Sequence, residues 1–521
     1  MAQQSTIKKI LSRVAMGLYV LVLFILGAQL FFGDQIMFLA NSFSSGTPVP
    51  QHGSSQTLTI AYAQPVQSLD PTLFDAVDRA PMVNIYEGLV RTDRNLKIEP
   101  AVAVSWGLVD PKTWEFTLRP HVKFHNGLEV KVDDVVASIE YAMNNQTSEL
   151  KNLLSSIDTV TKVDDSTLRI TTKTPDPLLL NKLAVTYIFP KDYSTFDQPV
   201  GTGPYQFVSW DQNKQIALKR FDDYWGTKPY YGQVVLQTIE DRDQRSSALQ
   251  NGTVDLLADV PPSAALGLKS ATITLKTIPS LEVSFLMFNL SDGIFKDKTL
   301  RQAAAYSLDR QQFVDIAGGY AQPIDQFVSS GVFGFNPDIK GYEYDMDKSK
   351  ATIQPVIEQT FTNLSVNLDY AQGSDVLAQY IQNQLKQIGI DVTLNPLSGS
   401  DLQQKLQNGT SDFYFLGWRS ELGDANDFLQ SVVHSRDQSG LSGQFNGTAY
   451  SNPAVDDLID KSQQDLNIQT RLKSMQDAMK ILVEDDIVGV PLFETQTIFA
   501  YQNKIQFDPR VDGYIYAAEI K

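Results

Sequence analysis

The sequence predicts an α/β protein with more than one hydrophobic core, on two observations. Runs rich in β-branched residues recur along the chain and alternate with stretches whose apolar residues stand three and four apart. Interleaving of that kind belongs to α/β layers. The chain also has 521 residues, too many for a single core, so about two to four domains are expected.

Taken in order, Thr57 to Tyr62 is a β-branched alternation and opens the body as a strand. Trp114-Glu115-Phe116-Thr117-Leu118 alternates large apolar with polar side chains, and Asn126-Gly127 supplies a turn with positive φ, so this block is a scaffold hairpin. From Val132 to Asn145, Val135, Val136, Ile139 and Ala142 make one apolar face of a helix, and Asp133 and Asp134 suit its N-terminus as caps. Leu168 to Thr172, Ile216 to Lys219 and Val234 to Leu236 repeat the strand signal. Helices are predicted over Arg301 to Val314, Ser374 to Ile388 and Gln469 to Val483. Ala378, Ile381, Leu385 and Ile388 form a stripe, Gly389 ends that helix, and Ile390 to Leu394 follows as a strand of a sheet.

Composition removes several functions. A net charge of -17 argues against nucleic acid as partner and is explained by solubility. With no cysteine there is no disulfide, no thiolate nucleophile, no cysteine-held zinc and no acylated lipoprotein cysteine. The four histidines, His52, His121, His125 and His434, are scattered. His121 and His125 are four apart, but in a strand and turn, where that spacing does not converge on a metal. Gly201-x-Gly203 is followed by Pro204 and Gln206, so it is a structural turn and not a dinucleotide loop. No Gly-x-Ser-x-Gly elbow occurs. Neither catalysis nor a cofactor nor a metal is expected.

The N-terminus speaks to location. Val14 to Gly33 is uncharged and follows Lys8, Lys9 and Arg13. It matches the roughly 20 residues that span a bilayer with the positive side inside. A cleaved secretory signal has an apolar region of about 7 to 15 residues, and the site after Ala40 would put Phe38 at its minus-three position. Length therefore favours residues 1–33 as a retained cell-membrane anchor, with secretion after cleavage as the alternative. Residues 34–55, with Ser42 to Ser55 rich in Ser, Gly, Pro and Gln, are expected to be a flexible tether to an extracytoplasmic body.

An ordered set of landmarks covers the rest. Leu69-Asp70-Pro71 precedes Asn84-Ile85-Tyr86-Glu87-Gly88-Leu89-Val90, then Glu99-Pro100, Ser105-Trp106, Leu118-Arg119-Pro120-His121-Val122-Lys123-Phe124-His125-Asn126-Gly127 and Val132-Asp133-Asp134-Val135. Gly201-Thr202-Gly203-Pro204-Tyr205, Arg220-Phe221 with Tyr224-Trp225, Leu249-Gln250-Asn251-Gly252 with Val254-Asp255, Phe288-Asn289-Leu290, Arg301-Gln302-Ala303-Ala304 and Ser307-Leu308-Asp309-Arg310 follow. This succession resembles the family 5 (peptide/nickel) extracellular solute-binding proteins of ABC importers. The resemblance implies a two-lobed periplasmic-binding-protein-like fold with an extra inserted subdomain. On that pattern the first lobe takes 56–87, 199–309 and 491–521, the inserted subdomain 88–198, and the second lobe 310–490. The chain would cross between lobes near Asp309 and near Pro491, which permits hinge closure around a ligand. The same resemblance implies a monomer that captures oligopeptides and hands them to a membrane permease, ATP hydrolysis belonging to the partner. A nickel chelate, a sugar or another solute is the alternative cargo on such a scaffold, and a surface hydrolase or a peptide-sensing signalling receptor is the alternative from a different class.

The candidate site follows from the same likeness. Phe413-Tyr414-Phe415-Leu416-Gly417-Trp418 is an apolar run ending at a glycine and an indole, followed by Arg419, Ser420, Glu421, Leu422, Gly423, Asp424 and Asp427. In peptide-binding relatives a carboxylate three residues after this tryptophan pairs with the ligand's α-amine, which here implies Glu421. Relatives carry Asp at that place, and Glu is one methylene longer, so Asp424 is the alternative. An ammonium taken from water needs such a paired acid. The competing reading makes Trp418 core and the acids a solvated loop. By resemblance Asp75, Ala76 and Val77 form the other wall and pair their backbone with an extended peptide. Asn289 is either a ligand contact or a strand-end hydrogen bond. No basic residue matches those that hold a peptide's carboxylate in relatives, so ligand length stays open.

Overall fold

The computed structural model describes residues 56–193, 195–360, 364–437, 440 and 442–521. The expected anchor at Val14 to Gly33 and the tether at Ser42 to Ser55 lie outside the described residues. Among those described, no helix is long and apolar enough to cross a membrane.

The main sheet is numbered here in chain order: β1 (Thr57–Tyr62), β2 (Tyr205–Asp211), β3 (Gln215–Arg220), β4 (Gln233–Thr238), β5 (Leu256–Leu257), β6 (Ile273–Phe288), β7 (Leu364–Ala371), β8 (Ile390–Leu397), β9 (Phe413–Arg419) and β10 (Gly489–Gln502). Its spatial order is β8-β7-β9-β6-β10-β5-β1-β4-β3-β2, with Ala321–Pro323 added on β10. Strands expected over Thr57 to Tyr62, Ile216 to Lys219, Val234 to Leu236 and Ile390 to Leu394 are all present in it.

Two long antiparallel strands join the lobes. From Ile273 to Pro279, β6 pairs only with the far half of β10, Gln502 to Gln496. After a register shift, Val283 onward pairs with β10 on one side and with β9 on the other. The crossings therefore fall at Pro279 to Val283 and at Glu494 to Gln496. The first lies well before the expected Asp309. Phe288, Phe295, Leu300, Ala304 and Leu308 are buried with Leu368, Ile381 and Phe413 of the second lobe. The expectation had followed a helix break, which is real: the helix ends at Ser307 and a new one starts at Arg310, capped by Asp309 through the Gln311 N–H. Sheet pairing, not that break, decides which lobe the segment joins. At the crossing, Leu281 is buried and held at φ 61°, a conformation that a branched side chain rarely adopts.

The first lobe buries Leu58, Ile60, Met82, Ile85, Tyr205, Leu218 and Val234 together, with α1 (Ala76–Ile85) against its sheet. The inserted subdomain is an antiparallel sheet in the order Ala103–Asp110, Thr113–Leu118, Thr167–Thr172, Ile157–Lys162. It is covered by α2 (Val132–Asn144), whose Val135 and Ile139 pack with Phe116, Leu168 and Ile170. Asp134 accepts the Lys131 N–H at 2.8 Å, so this acid is a cap.

The landmarks of the sequence meet in space as scaffold. The Glu87 carboxylate accepts from Thr202 Oγ1 (3.0 Å), Tyr224 OH (2.9 Å) and Trp225 Nε1 (2.8 Å). Burial raises its pKa, and those three bonds oppose the rise. A Cβ on Gly201 would stand 2.1 Å from the Ile85 carbonyl, so only glycine lets this turn dock on the end of α1. His125 is part of the same joint, with Nε2 3.0 Å from the Gly203 carbonyl and Nδ1 accepting from Gly201 N–H at 3.3 Å. Burial pushes its pKa down to about 4, so it is a neutral scaffold residue.

Candidate functional site

Strand β9 carries the site from the second lobe's core to the junction of the lobes. Phe413, Tyr414 and Phe415 are buried, whereas Gly417 is exposed. A Cβ on Gly417 would lie 2.6 Å from Glu282 Oε1 on β6, so the glycine makes room for that carboxylate. Trp418 is half-buried, packs on Phe445 with ring centroids 5.7 Å apart, and its indole N–H faces the Asp427 carboxyl.

Arg419 straps this end together. Its Nη1 donates to the Ser280 carbonyl at the crossing (3.0 Å), its Nη2 to the Asp512 carbonyl of the first lobe (2.6 Å), and its Nε lies 3.0 Å from Glu421 Oε1. The Glu421 side chain keeps 35% of its surface open. Two further carboxyls are coupled to it. Asp427 is pushed up to about 7 by burial, with Glu421 adding to the rise and the Trp418 indole opposing it. Glu282 is also raised by burial, against Arg419, with Glu421 and Asp259 adding. Glu282, cross-strand from Arg419, and Glu421 thus share one guanidinium, Asp427 adds negative charge beside Glu421, and an incoming cation would relieve the crowding.

The other residues singled out from the sequence take different places. Asp424 is 3% exposed, and its two oxygens accept from Arg471 Nη1 (2.7 Å) and Nη2 (2.8 Å) of α3 (Ile468–Lys480) and from the Asn426 N–H (3.0 Å). It is a committed structural pair, so its alternative role as amine acceptor is corrected. Asp75 caps α1 by accepting from Val77 N–H (2.8 Å) and Asp78 N–H (3.3 Å). Ala76 and Val77 are the first turn of that helix. The expected extended edge for peptide backbone pairing is therefore absent at these three residues, because an Asp N-cap starts a helix there. Asn289 donates to the Ser411 carbonyl (3.1 Å) and accepts from Ser291 and Asp292 N–H (3.0 Å each), the strand-end role.

Across from Glu421 stands a residue that motif and spacing did not single out. Arg79 of α1 is 2% exposed, and its guanidinium lies over Phe74 (5.0 Å) and Tyr187 (4.6 Å). Its Nη atoms donate to the Leu73 and Val185 carbonyls at 3.3 to 3.4 Å, its side chain also bonds Tyr187, and against the cost of burial Tyr187, Tyr514, Tyr516 and Glu421 raise its pKa. Glu421, Leu422, Arg79, Asp512 and Tyr514 line one small cavity of about 40 Å³, room for roughly three waters. Beside it, sharing Leu96, Asn181 and Leu422, opens a larger cavity of about 570 Å³ with Trp114, Phe333 and Ile468 in its wall. The lobes touch here, Asn181 Nδ2 donating to the Leu422 carbonyl at 3.3 Å. A lone arginine just before the apolar run Ala80-Pro81-Met82-Val83 was the available signal. Among the described residues no cluster of three metal-ligating side chains occurs.

A family model described as bacterial extracellular solute-binding proteins, family 5, middle, matches residues 97–440. The chain belongs to this family. The glutathione-binding protein GsiB of Pectobacterium atrosepticum is 27% identical over 448 residues, 81% of this chain and 86% of that protein. Among solved structures, the periplasmic binding protein DppA of Helicobacter pylori in complex with the peptide STSA is 26% identical at a TM-score of 0.72, covering 89% of this chain and 97% of that one. The nickel ABC transporter protein of Bacillus halodurans is 25% identical at a TM-score of 0.78, covering 89% and 100%. This chain is accordingly an extracytoplasmic substrate-binding protein of the ABC-transporter kind, two-lobed and not an enzyme. The three relatives are named for different cargoes, so cargo has to be argued from the cleft.

Proposed function

We propose that this protein captures peptides between its lobes, seats the free α-amine against Glu421, and delivers them to an ABC permease. The observation that carries the reading is that Glu421 and the cross-strand Glu282 share the single guanidinium of Arg419 at the lobe junction, with Asp427 adding charge beside Glu421. A ligand ammonium there gains a carboxylate partner and relieves repulsion among three acids, which offsets its own desolvation. Likeness to relatives named for glutathione and for a peptide complex supports the same class. Retention at the membrane by Val14 to Gly33 belongs to this reading, and a high-salt wash that leaves the protein in the membrane fraction is its check.

The amine is tested by Glu421→Gln with free-amine and N-acetylated forms of one peptide, by calorimetry. Truncating one member of a buried charge pair costs about 2 to 5 kcal/mol. The low end, about 2 kcal/mol, is expected because Glu421 is partly open and already shares Arg419. The acetylated peptide should bind the wild type weakly and lose little more in the variant. Equal losses for both peptides would remove Glu421 from the amine site.

A further inference from the structure

We propose that Leu96 is a closing latch: held out by a rigid turn of the inserted subdomain, it seats on Gly423 of the second lobe and sets how often the ligand-free protein is closed. Leu96 stands at the tip of the hairpin formed by Val90–Thr92 and Ile98–Pro100. The tip is fixed from within and from behind. Asp93 Oδ1 accepts from the N–H groups of Asn95 (2.8 Å) and Lys97 (2.9 Å). Arg510 Nη2 donates to the Thr92 and Asp93 carbonyls at 2.9 Å each, and the Val511 N–H donates to the Arg94 carbonyl at 3.0 Å. In this turn Leu96 has φ 64°, a conformation that glycine adopts freely and leucine seldom does. A leucine at a place that suits glycine is explained by what its side chain reaches, and this one packs on the core of the second lobe.

The seat is as fixed as the knob. Gly423 has φ 67°, its N–H donates to the Ser420 carbonyl and its own carbonyl accepts from the Phe333 N–H, both at 2.9 Å. The next residue, Asp424, is pinned by Arg471. A Cβ on residue 423 would stand 2.4 Å from Leu96 Cδ1, and the three atoms nearest to it all belong to Leu96. Any side chain there would push the knob off its seat. Beside it, Asn181 of the short helix Leu179–Ala184 makes its bond to the Leu422 carbonyl. Because knob and seat ride on rigid turns on opposite sides of the cleft, the contact is made or lost with the motion of the lobes, and its burial favours the closed arrangement alone. It offers a ligand no polar group. Its effect is to keep a fraction of the ligand-free protein closed, and so to scale affinity for every cargo by one factor while leaving the choice among cargoes to other residues.

The test needs no ligand, so its failure is distinct from failure of the Glu421 reading. The chain has no cysteine, and Asn181→Cys with Leu422→Cys places one thiol on each side of the cleft beside the latch. In the full chain, the rate at which a short bis-maleimide joins these two thiols reports how often the lobes meet. Adding Leu96→Gly should slow the joining about threefold to tenfold, the scale of one partly buried leucine side chain. That variant should melt no lower than its parent, since glycine suits the turn. Gly423→Ala should also slow the joining. Made together with Leu96→Gly it should add little, because the atoms that its Cβ meets are gone.

Equal joining rates with and without the Leu96 side chain would overturn the latch, as would thiols that never join in the ligand-free chain. So would slower joining by Leu96→Gly with a melting point well below the parent's, which would mark Leu96 as support for the fold. A Gly423→Ala loss that persists undiminished in the Leu96→Gly background would show that Gly423 serves its own backbone conformation, and would overturn the pairing of knob and seat.

Discussion

Two acids three residues apart in the loop after β9 meet opposite surroundings. Asp424 has both oxygens taken by Arg471 and by a backbone N–H, deep in the second lobe. Glu421 shares one guanidinium with two carbonyl acceptors and faces two other carboxyls. A saturated pair has nothing left to give a ligand, while acids that outnumber their cation gain from an arriving ammonium. What separates the two is whether a distant helix supplies a partner. Residue type and spacing are nearly the same.

The largest expected effect breaks the pair. Asp424→Asn would leave Arg471 buried without its acid, which typically costs about 3 to 5 kcal/mol of stability. Denaturant unfolding should show that loss, and the surviving folded protein should still prefer free-amine over acetylated peptide. Intact stability with a lost amine preference would exchange the roles of Asp424 and Glu421.

This comparison also shows where the sequence stops being legible. Periodicity reached the strands and helices because each is a local pattern: β1, β3, β4 and α2 stand where alternation and the apolar stripe put them. The family landmarks were readable in order, and their physical content is scaffold. Glu87 gathers Thr202, Tyr224 and Trp225, while Arg301 donates to the carbonyls of Phe295, Asp486 and Ile487. The Asp424 pair was not readable, because its partner lies 47 residues away on another helix. Nor was the burial of Arg79, since its walls come from Phe74 and from Tyr187 of the inserted subdomain. The first crossing was misplaced for a related reason. A capped helix break at Asp309 is a local signal, whereas the register shift in β6 depends on β9 and β10.

A second, smaller effect sharpens the contrast through protons. Asp427 has a folded pKa of about 7, well above the usual carboxylate value near 4. Between about pH 4 and pH 7 the folded state therefore holds more protons at this group than the unfolded state, so its contribution to stability falls as pH rises through that window and levels off above it. Asp427→Asn should flatten that part of the melting profile. Seating an ammonium beside the acids lowers the Asp427 pKa, so binding at pH 7 should release up to about half a proton. Calorimetry in two buffers of different ionisation enthalpy reads this directly. Release should fade by about pH 9, where the group is already ionised. Proton uptake, or none at pH 7, would mean that the cation sits elsewhere.

The smallest expected signal is a change of shape, and it asks whether the unsatisfied groups act on the hinge. Only β6 and β10 run from one lobe into the other within the main sheet among the described residues, and both crossings coincide with the irregularity around Leu281. The closing contacts seen between lobes are few, the Asn181 bond to the Leu422 carbonyl among them. Without ligand, closure leaves Glu421 beside Glu282 with no added cation, which gives little gain for desolvating the two acids. A ligand ammonium seated against Glu421 supplies the missing cation in the closed state, so it shifts the population toward closure. Small-angle scattering should then show a smaller radius of gyration with saturating Leu-Leu than without it. Glu421→Gln should blunt the change at the same peptide concentration, and Asp424→Asn should not, provided it is measured where that variant remains folded. An unchanged profile in the wild type despite calorimetric binding would show that the lobes close without the ligand, and that Glu421 selects cargo without driving the hinge.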